Sequence, residues 1–202
     1  SSVGHFLLHR PGLPQHCDEC MIAKTTRMKR FRGKTPRETT KYGDLVTTDH
    51  VNMTDLFKQP GIDGYTDMLT FKDLHENFIQ AQPVKSKDDA DTFDCLAFMK
   101  GDDEWKQMYS DNWTSITNAC KRLGVRWEPS QPGVHLTNAI IENTNRLTTE
   151  DVRAALTAAG LPGCFWPYAC VFAAFFHNLQ CDREDGTCPW SRKYKGTKLE
   201  KF

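Results

Sequence analysis

The chain has no surplus of either charge: its 202 residues carry 26 Lys and Arg against 26 Asp and Glu. A uniformly basic nucleic-acid binder is thereby excluded, and any charged partner must be met by a local patch. An apolar run of membrane-spanning length is also missing; the longest candidate, 164–176, is broken by Pro167 and reads as a buried helix. No secretory signal opens the sequence, and residue 1 is Ser rather than Met, which leads us to expect a segment cut from a longer polypeptide. The 8 cysteines fall into no regular framework of the kind that staples small secreted domains, so a reducing compartment is expected.

What charge there is lies unevenly. Seven basic and no acidic residues occur from Lys24 to Arg37, whereas 88–94 and 101–104 are acid-rich. The basic run adjoins His5, His9, Cys17 and Cys20, spaced H-x3-H-x7-C-x2-C, with His16 a rival ligand. Zinc prefers four such ligands in a tetrahedron, and a segment with almost no apolar core would need a metal to hold it together. Residues 1–23 therefore read as a small zinc-binding module and 24–43 as a basic linker, broken by Gly33 and Pro36. Within the linker Lys24, Arg27, Lys29, Arg30 and Arg32 would favour a phosphate backbone without reading base sequence.

From residue 44 the pattern becomes that of a folded core, 44–179, followed by a polar and basic extension, 180–202. LVTTDHVNM predicts a first strand; YTDMLTFKDL and HENFIQAQPV predict a second and a third around a turn near His75. A helix is expected over 88–99, its acidic residues capping and solvating its start, then a fourth strand over 105–110. A further helix beginning near Asn138 would carry Glu142 on its first turn and stop at Gly160 and Pro162. Along it Glu142, Asn145, Arg146, Thr149 and Arg153 fall on one polar stripe, beside a more apolar face of Ile141, Thr144, Thr148 and Val152. The very apolar 163–179 reads as a buried helix packed on the sheet. Three carboxylates then stand on rigid elements: Asp49 on the first strand, Asp111 at the end of the fourth, Glu142 on the helix. Such an oxygen-donor set suits Mg²⁺ or Mn²⁺.

The segments GDLVTTDH, YSDN, GVRWEPSQPG, NAIIENTNR and AALTAAGLPGCFWPYA, in that order, resemble the catalytic core of retroviral-type integrases, above all those of copia-type LTR retrotransposon Pol polyproteins. The resemblance implies an α/β, RNase H-like core, a mixed five-stranded sheet with helices on both faces, preceded by the zinc module. It makes Asp49, Asp111 and Glu142 a catalytic triad holding two Mg²⁺ or Mn²⁺ ions, and His5, His9, Cys17 and Cys20 the ligands of one structural Zn²⁺. Asn138, Asn145, Arg146 and Arg153 become DNA contacts, together with the basic linker. Implied too are element ends and target DNA as partners, self-association through the helix of 163–179, and a nuclear and cytoplasmic location after release from a polyprotein. The activity implied is 3′-end processing and joining of DNA. A catalytically inactive or domesticated DNA-binding relative, and another RNase H-like nuclease or transposase, are the alternatives. Two departures stand out: Trp113 follows Asn112 where the family usually has glycine, and the interval from Asp111 to Glu142 is shorter than the family's.

Overall fold

The computed structural model describes residues 38–55, 57–130, 135–180 and 186–195, and only the backbone of 135–138. The expected zinc ligands His5, His9, Cys17 and Cys20, the rival His16, and the basic residues Lys24, Arg27, Lys29, Arg30 and Arg32 lie outside the described residues. The chain divides into two units, Ser1–Glu38 and Thr39–Phe202, and the architecture that follows is that of the second.

Period-two patterning builds one sheet from Val46–Asn52 (β1), Asp67–Asp73 (β2), Ile79–Val84 (β3), Gln107–Ser110 (β4) and Arg126–Pro129 (β5). The strand order is β3-β2-β1-β4-β5. β1 pairs antiparallel with β2 and parallel with β4; β2–β3 is antiparallel and β4–β5 parallel. The mixed five-stranded sheet expected from the sequence is therefore present. β2 shows why both of its faces must be covered. Met68 points to one side and Leu69 and Phe71 to the other, and all three are fully buried, so leaving either face open would expose large apolar side chains to water.

Helices supply that cover. Asp89–Lys100 (α1) and Thr114–Leu123 (α2) bring Leu96, Met99, Ile116 and Ala119 onto Leu69, Phe71 and Met108. On the opposite face His135–Ala159 (α3) and Trp166–Leu179 (α4) bring Val152, Leu156, Cys170 and Ala173 onto Met68, Ile79 and Ala81. A short helix, Pro189–Lys193 (α5), is fastened to the β2–β3 hairpin by Arg192, which pairs through Nε with the buried Glu76 carboxylate at 3.2 Å and donates through Nη2 to the Glu76 carbonyl at 2.6 Å. Asp88 caps α1 by accepting the Asp91 N–H at 2.8 Å, as its acidic start suggests. Gly124, at φ 68° in the left-handed region, turns the chain out of α2 toward β5.

Three expectations are corrected. α3 begins at His135, so Glu142 sits two turns into the helix rather than on its first. β4 begins at Gln107 because Trp105 leaves the strand to stack on Phe71, centroids 4.4 Å apart. α4 is buried on one side only: Tyr168, Val171, Phe172, Phe175 and Phe176 are exposed, Phe172 and Phe176 at 51% each. Among the described residues no helix is long and apolar enough to cross a membrane.

Candidate active site

β1 is the middle strand, and its side chains are fully buried through Val46, Thr47 and Thr48 before exposure begins at Asp49. It pairs with β4 only at Val46–Met108 and Thr47–Tyr109. The same register carried two residues further sets Asp49 opposite Asp111, where the two parallel strands have parted. A carboxylate on each side of that opening is a direct consequence of strand order and register.

Asp49 is firmly held. Its Oδ1 accepts the His50 N–H at 2.8 Å and its Oδ2 accepts Nδ2–H of Asn145 at 2.9 Å. Burial pushes its carboxyl up to about 6, and the nearby charge of Asp111 adds to the rise, against the His50 N–H, the Asn145 amide and the Lys87 charge. Asp111 is exposed; its Oδ1 accepts from the Ser130 hydroxyl at 2.7 Å, and Ser130 N–H in turn donates to the Ser110 carbonyl at 2.8 Å. The end of β5 thus straps the end of β4 across the site.

Asn145, read as part of a polar stripe, turns inward: it is 9% exposed and ties α3 to the sheet. Its Oδ1 accepts from the Thr70 hydroxyl, which also lies 3.1 Å from the Asp49 carbonyl. Only one amide orientation serves both neighbours, since an ionised carboxylate cannot donate. Glu142, one turn earlier on α3, is exposed. Arg146 and Arg153 are exposed as well, but the Arg146 guanidinium is engaged along its own helix by Glu150 at 2.6 Å and Asn143 at 3.1 Å. Asn138 lies in the first turn of α3, with only its backbone described.

Around the pair stand residues that the sequence did not single out. Thr70 and Ser130 act on Asn145 and Asp111 as above; the β1–β2 register (Asp49 opposite Thr70) and the β4–β5 register (Ser110 opposite Pro129) place them, and neither register is written in a local motif. His50 is structural: its Nε2 lies 3.2 Å from the Thr92 hydroxyl, and burial pushes its imidazole down to about 4, so it is neutral at pH 7.

Among the described residues no group of three or more His, Cys, Asp or Glu side chains is arranged to hold a metal ion. The pair of Asp49 and Asp111 nevertheless has the donor chemistry that a hard divalent cation takes: carboxylate oxygens, one of them disfavoured as an anion by burial and by the other. Glu142 rides on the helix that Asn145 fastens to Asp49, but the structure does not bring it into one metal-holding group with the two aspartates.

The fold is that of retroviral integrase catalytic cores. It matches the HTLV-2 integrase core solved with magnesium in a trimeric form at a TM-score of 0.60, with 12% identity, over 77% of this chain and 99% of that one. It matches the BIV integrase core at 0.58, with 16% identity, over 76% and 95%. A chain of the simian T-cell lymphotropic virus intasome in complex with PP2A regulatory subunit B56 gamma matches at 0.65, with 14% identity, over 82% and 59%. In sequence the chain resembles the retrovirus-related Pol polyprotein from transposon TNT 1-94 of Nicotiana tabacum, at 28% identity over 171 residues, 80% of this chain. It spans 12% of that polyprotein's length. No protein-family profile matches the chain.

Proposed function

We propose that the chain is the integrase segment of an LTR retrotransposon Pol polyprotein, a polynucleotidyl transferase that trims DNA 3′ ends and joins them to target DNA. One observation carries the reading: in an integrase-type fold, Asp49 and Asp111 face each other across the opening between β1 and β4, with the Glu142 helix moored to Asp49 through Asn145. Asp49, Asp111 and Glu142 would hold Mg²⁺ or Mn²⁺, two ions per site. When bound, such ions supply Lewis acidity and charge neutralisation to an in-line displacement at phosphorus. Asn145 and Ser130 keep the Asp49 and Asp111 carboxylates aimed. With water as the nucleophile a DNA strand is shortened to a 3′ hydroxyl; with that hydroxyl as the nucleophile the strand is joined to another. Neither step needs a covalent bond to the protein.

The remaining parts follow the same reading. Asn138, Arg146 and Arg153 on α3, with Lys24, Arg27, Lys29, Arg30 and Arg32, would contact phosphates of element ends and target DNA. His5, His9, Cys17 and Cys20 would bind one structural Zn²⁺, which metal analysis of the purified chain tests: one zinc per chain, lost in Cys17→Ser. Self-association through α4 and a nuclear and cytoplasmic location belong to the same proposal. A second reading, an integrase-like protein that binds DNA without catalysis, is favoured by one fact: the described residues contain no ready three-ligand metal group.

A strand-transfer assay decides between them, with short duplex ends, Mn²⁺ or Mg²⁺, and the wild-type chain beside Asp111→Asn and Glu142→Gln. Joined products that vanish in both variants establish the reaction. No product from any chain, with salt-sensitive DNA binding retained, establishes the binding-only reading.

A further inference from the structure

Trp113 stands two residues beyond Asp111, at the N-cap of α2, and is 49% exposed. It is not loosely placed. Its N–H donates to the Asp111 carbonyl at 2.7 Å, and its own carbonyl accepts from both the N–H and the hydroxyl of Thr117, each at 3.1 Å. The ring is steered too, its Nε1–H pointing at the Lys87 carbonyl at 3.5 Å. Lys87 brings its ammonium to 5.7 Å from the indole centroid. That ammonium also pairs with Asp67 at 3.3 Å, and its charge reaches the Asp49 carboxylate.

A large flat ring thus stands half open to solvent two residues from Asp111, its Nε1–H aimed at the Lys87 carbonyl and the Lys87 ammonium over it. The flanking side chains Asp111, Asn112 and Thr114 are exposed and polar, so the ring is not the centre of an apolar patch that another protein would cover. An exposed indole with a cation over it is what an unpaired nucleotide needs. The base stacks on the open part of the indole, and the ammonium meets the phosphate.

We infer that Trp113 is a stacking platform for an unpaired nucleobase of a DNA strand entering the site, with Lys87 set for the adjoining phosphate. The inference rests on the DNA-processing reading above and adds a recognition element to it: a preference for frayed or single-stranded ends.

The test measures binding of the full chain, with no Mg²⁺ or Mn²⁺ added, to fluorescent duplexes ending in two unpaired nucleotides or in the same two positions made abasic. Wild type should bind the base-bearing end about tenfold more tightly, the order of one base–aromatic stack. Trp113→Ala should abolish that preference while leaving the abasic duplex bound as before, and Trp113→Phe should restore most of it. A wild type without preference, or a Trp113→Ala chain that keeps it or loses affinity for both ends alike, overturns the platform. Strand transfer assayed in parallel separates the two ideas. Joined products together with an unmoved base preference sink the platform alone. A base preference lost in Trp113→Ala without joined products from wild type sinks the joining activity and leaves the platform standing.

Discussion

At Asp49 the needs of the fold and of the site are opposed. Burial keeps its proton up to about pH 6, whereas an unfolded chain releases it near pH ~4. Between those values the folded state binds the extra proton, so stability is highest below the window and falls as pH rises through it. With no Mg²⁺ or Mn²⁺ added, Asp49→Asn should therefore be the more stable chain at pH 7.5, by at most about 3 kcal/mol, the size of a shift of roughly two pH units. The advantage should disappear at pH 4. Urea unfolding at the two pH values, with no Mg²⁺ or Mn²⁺ added, measures it; a variant no more stable at pH 7.5 would show that the carboxylate is not strained by its surroundings. Asn145 is the residue that makes this burial tolerable. Asn145→Ala leaves one Asp49 oxygen without its amide donor and the Thr70 hydroxyl with the Asp49 carbonyl as its remaining acceptor, which should cost about 1–3 kcal/mol of stability. It should also weaken Mn²⁺ binding by about 10- to 100-fold, as loss of a group orienting a metal ligand does. A manganese titration that shows unchanged affinity would reduce Asn145 to a packing role.

The elements were legible in proportion to how local their signals are. β1, β2 and β3 announce themselves by apolar and β-branched residues closed off by turn residues, and the turn near His75 falls between β2 and β3 as expected. Asp49 and Asp111 were legible for the same reason, each lying on or just beyond a recognisable strand. Asn145 was placed correctly on its helix but not on its inner side. Helical periodicity puts it beside both Glu142 and Thr148, and what decides between water and protein is Thr70, 75 residues away. α4 misled in the opposite way: apolar residues all round leave no polar face to reveal which side stays open. α5 was unreadable, because its hold on the core is made by contacts remote in sequence: Arg192 with Glu76, 116 residues away, Lys193 with Asp103, 90 residues away, and the Trp190 ring against Phe78 and Phe175. Glu76 and Arg192 are nearly buried, at 7% and 8% exposure, so the pair is strongly felt when one member is removed alone. Arg192→Ala should destabilise the fold by about 3–5 kcal/mol through the unpaired Glu76, and Arg192→Met combined with Glu76→Gln by much less. Denaturant midpoints of the three chains check this, and equal losses in single and double variants would show that the charges are not coupled.

For the whole molecule the unsettled surface is α4. Its inner residues Ala169, Cys170, Ala173 and Ala174 are packed against the sheet, while Tyr168, Val171, Phe172, Phe175 and Phe176 remain exposed on the outer side. The Phe172 and Phe176 rings already lie together, centroids 4.4 Å apart, and Phe175 meets Phe176 edge-on at 5.7 Å. A contiguous aromatic patch of this kind is uncommon on a monomer and is the sort of surface a partner covers. Self-association through α4 would bring these rings into a shared core. If the pairing is two-fold symmetric, each residue enters the interface twice, so one substitution is felt twice. Burying a Phe contributes roughly 1.5–3 kcal/mol, and Phe176→Asp should accordingly raise the dissociation constant of a dimer by at least about 100-fold. Sedimentation equilibrium over a concentration series reads this directly. Wild type that stays monomeric at high concentration would leave α4 to some other partner, and a Phe176→Asp chain that associates as wild type does would place the interface elsewhere. Because Asp49 and Asp111 lie where β1 and β4 part, on other elements than α4, the variant should match wild type in any Mn²⁺ and DNA binding that wild type shows while losing association, which separates assembly from the proposed chemistry in one chain.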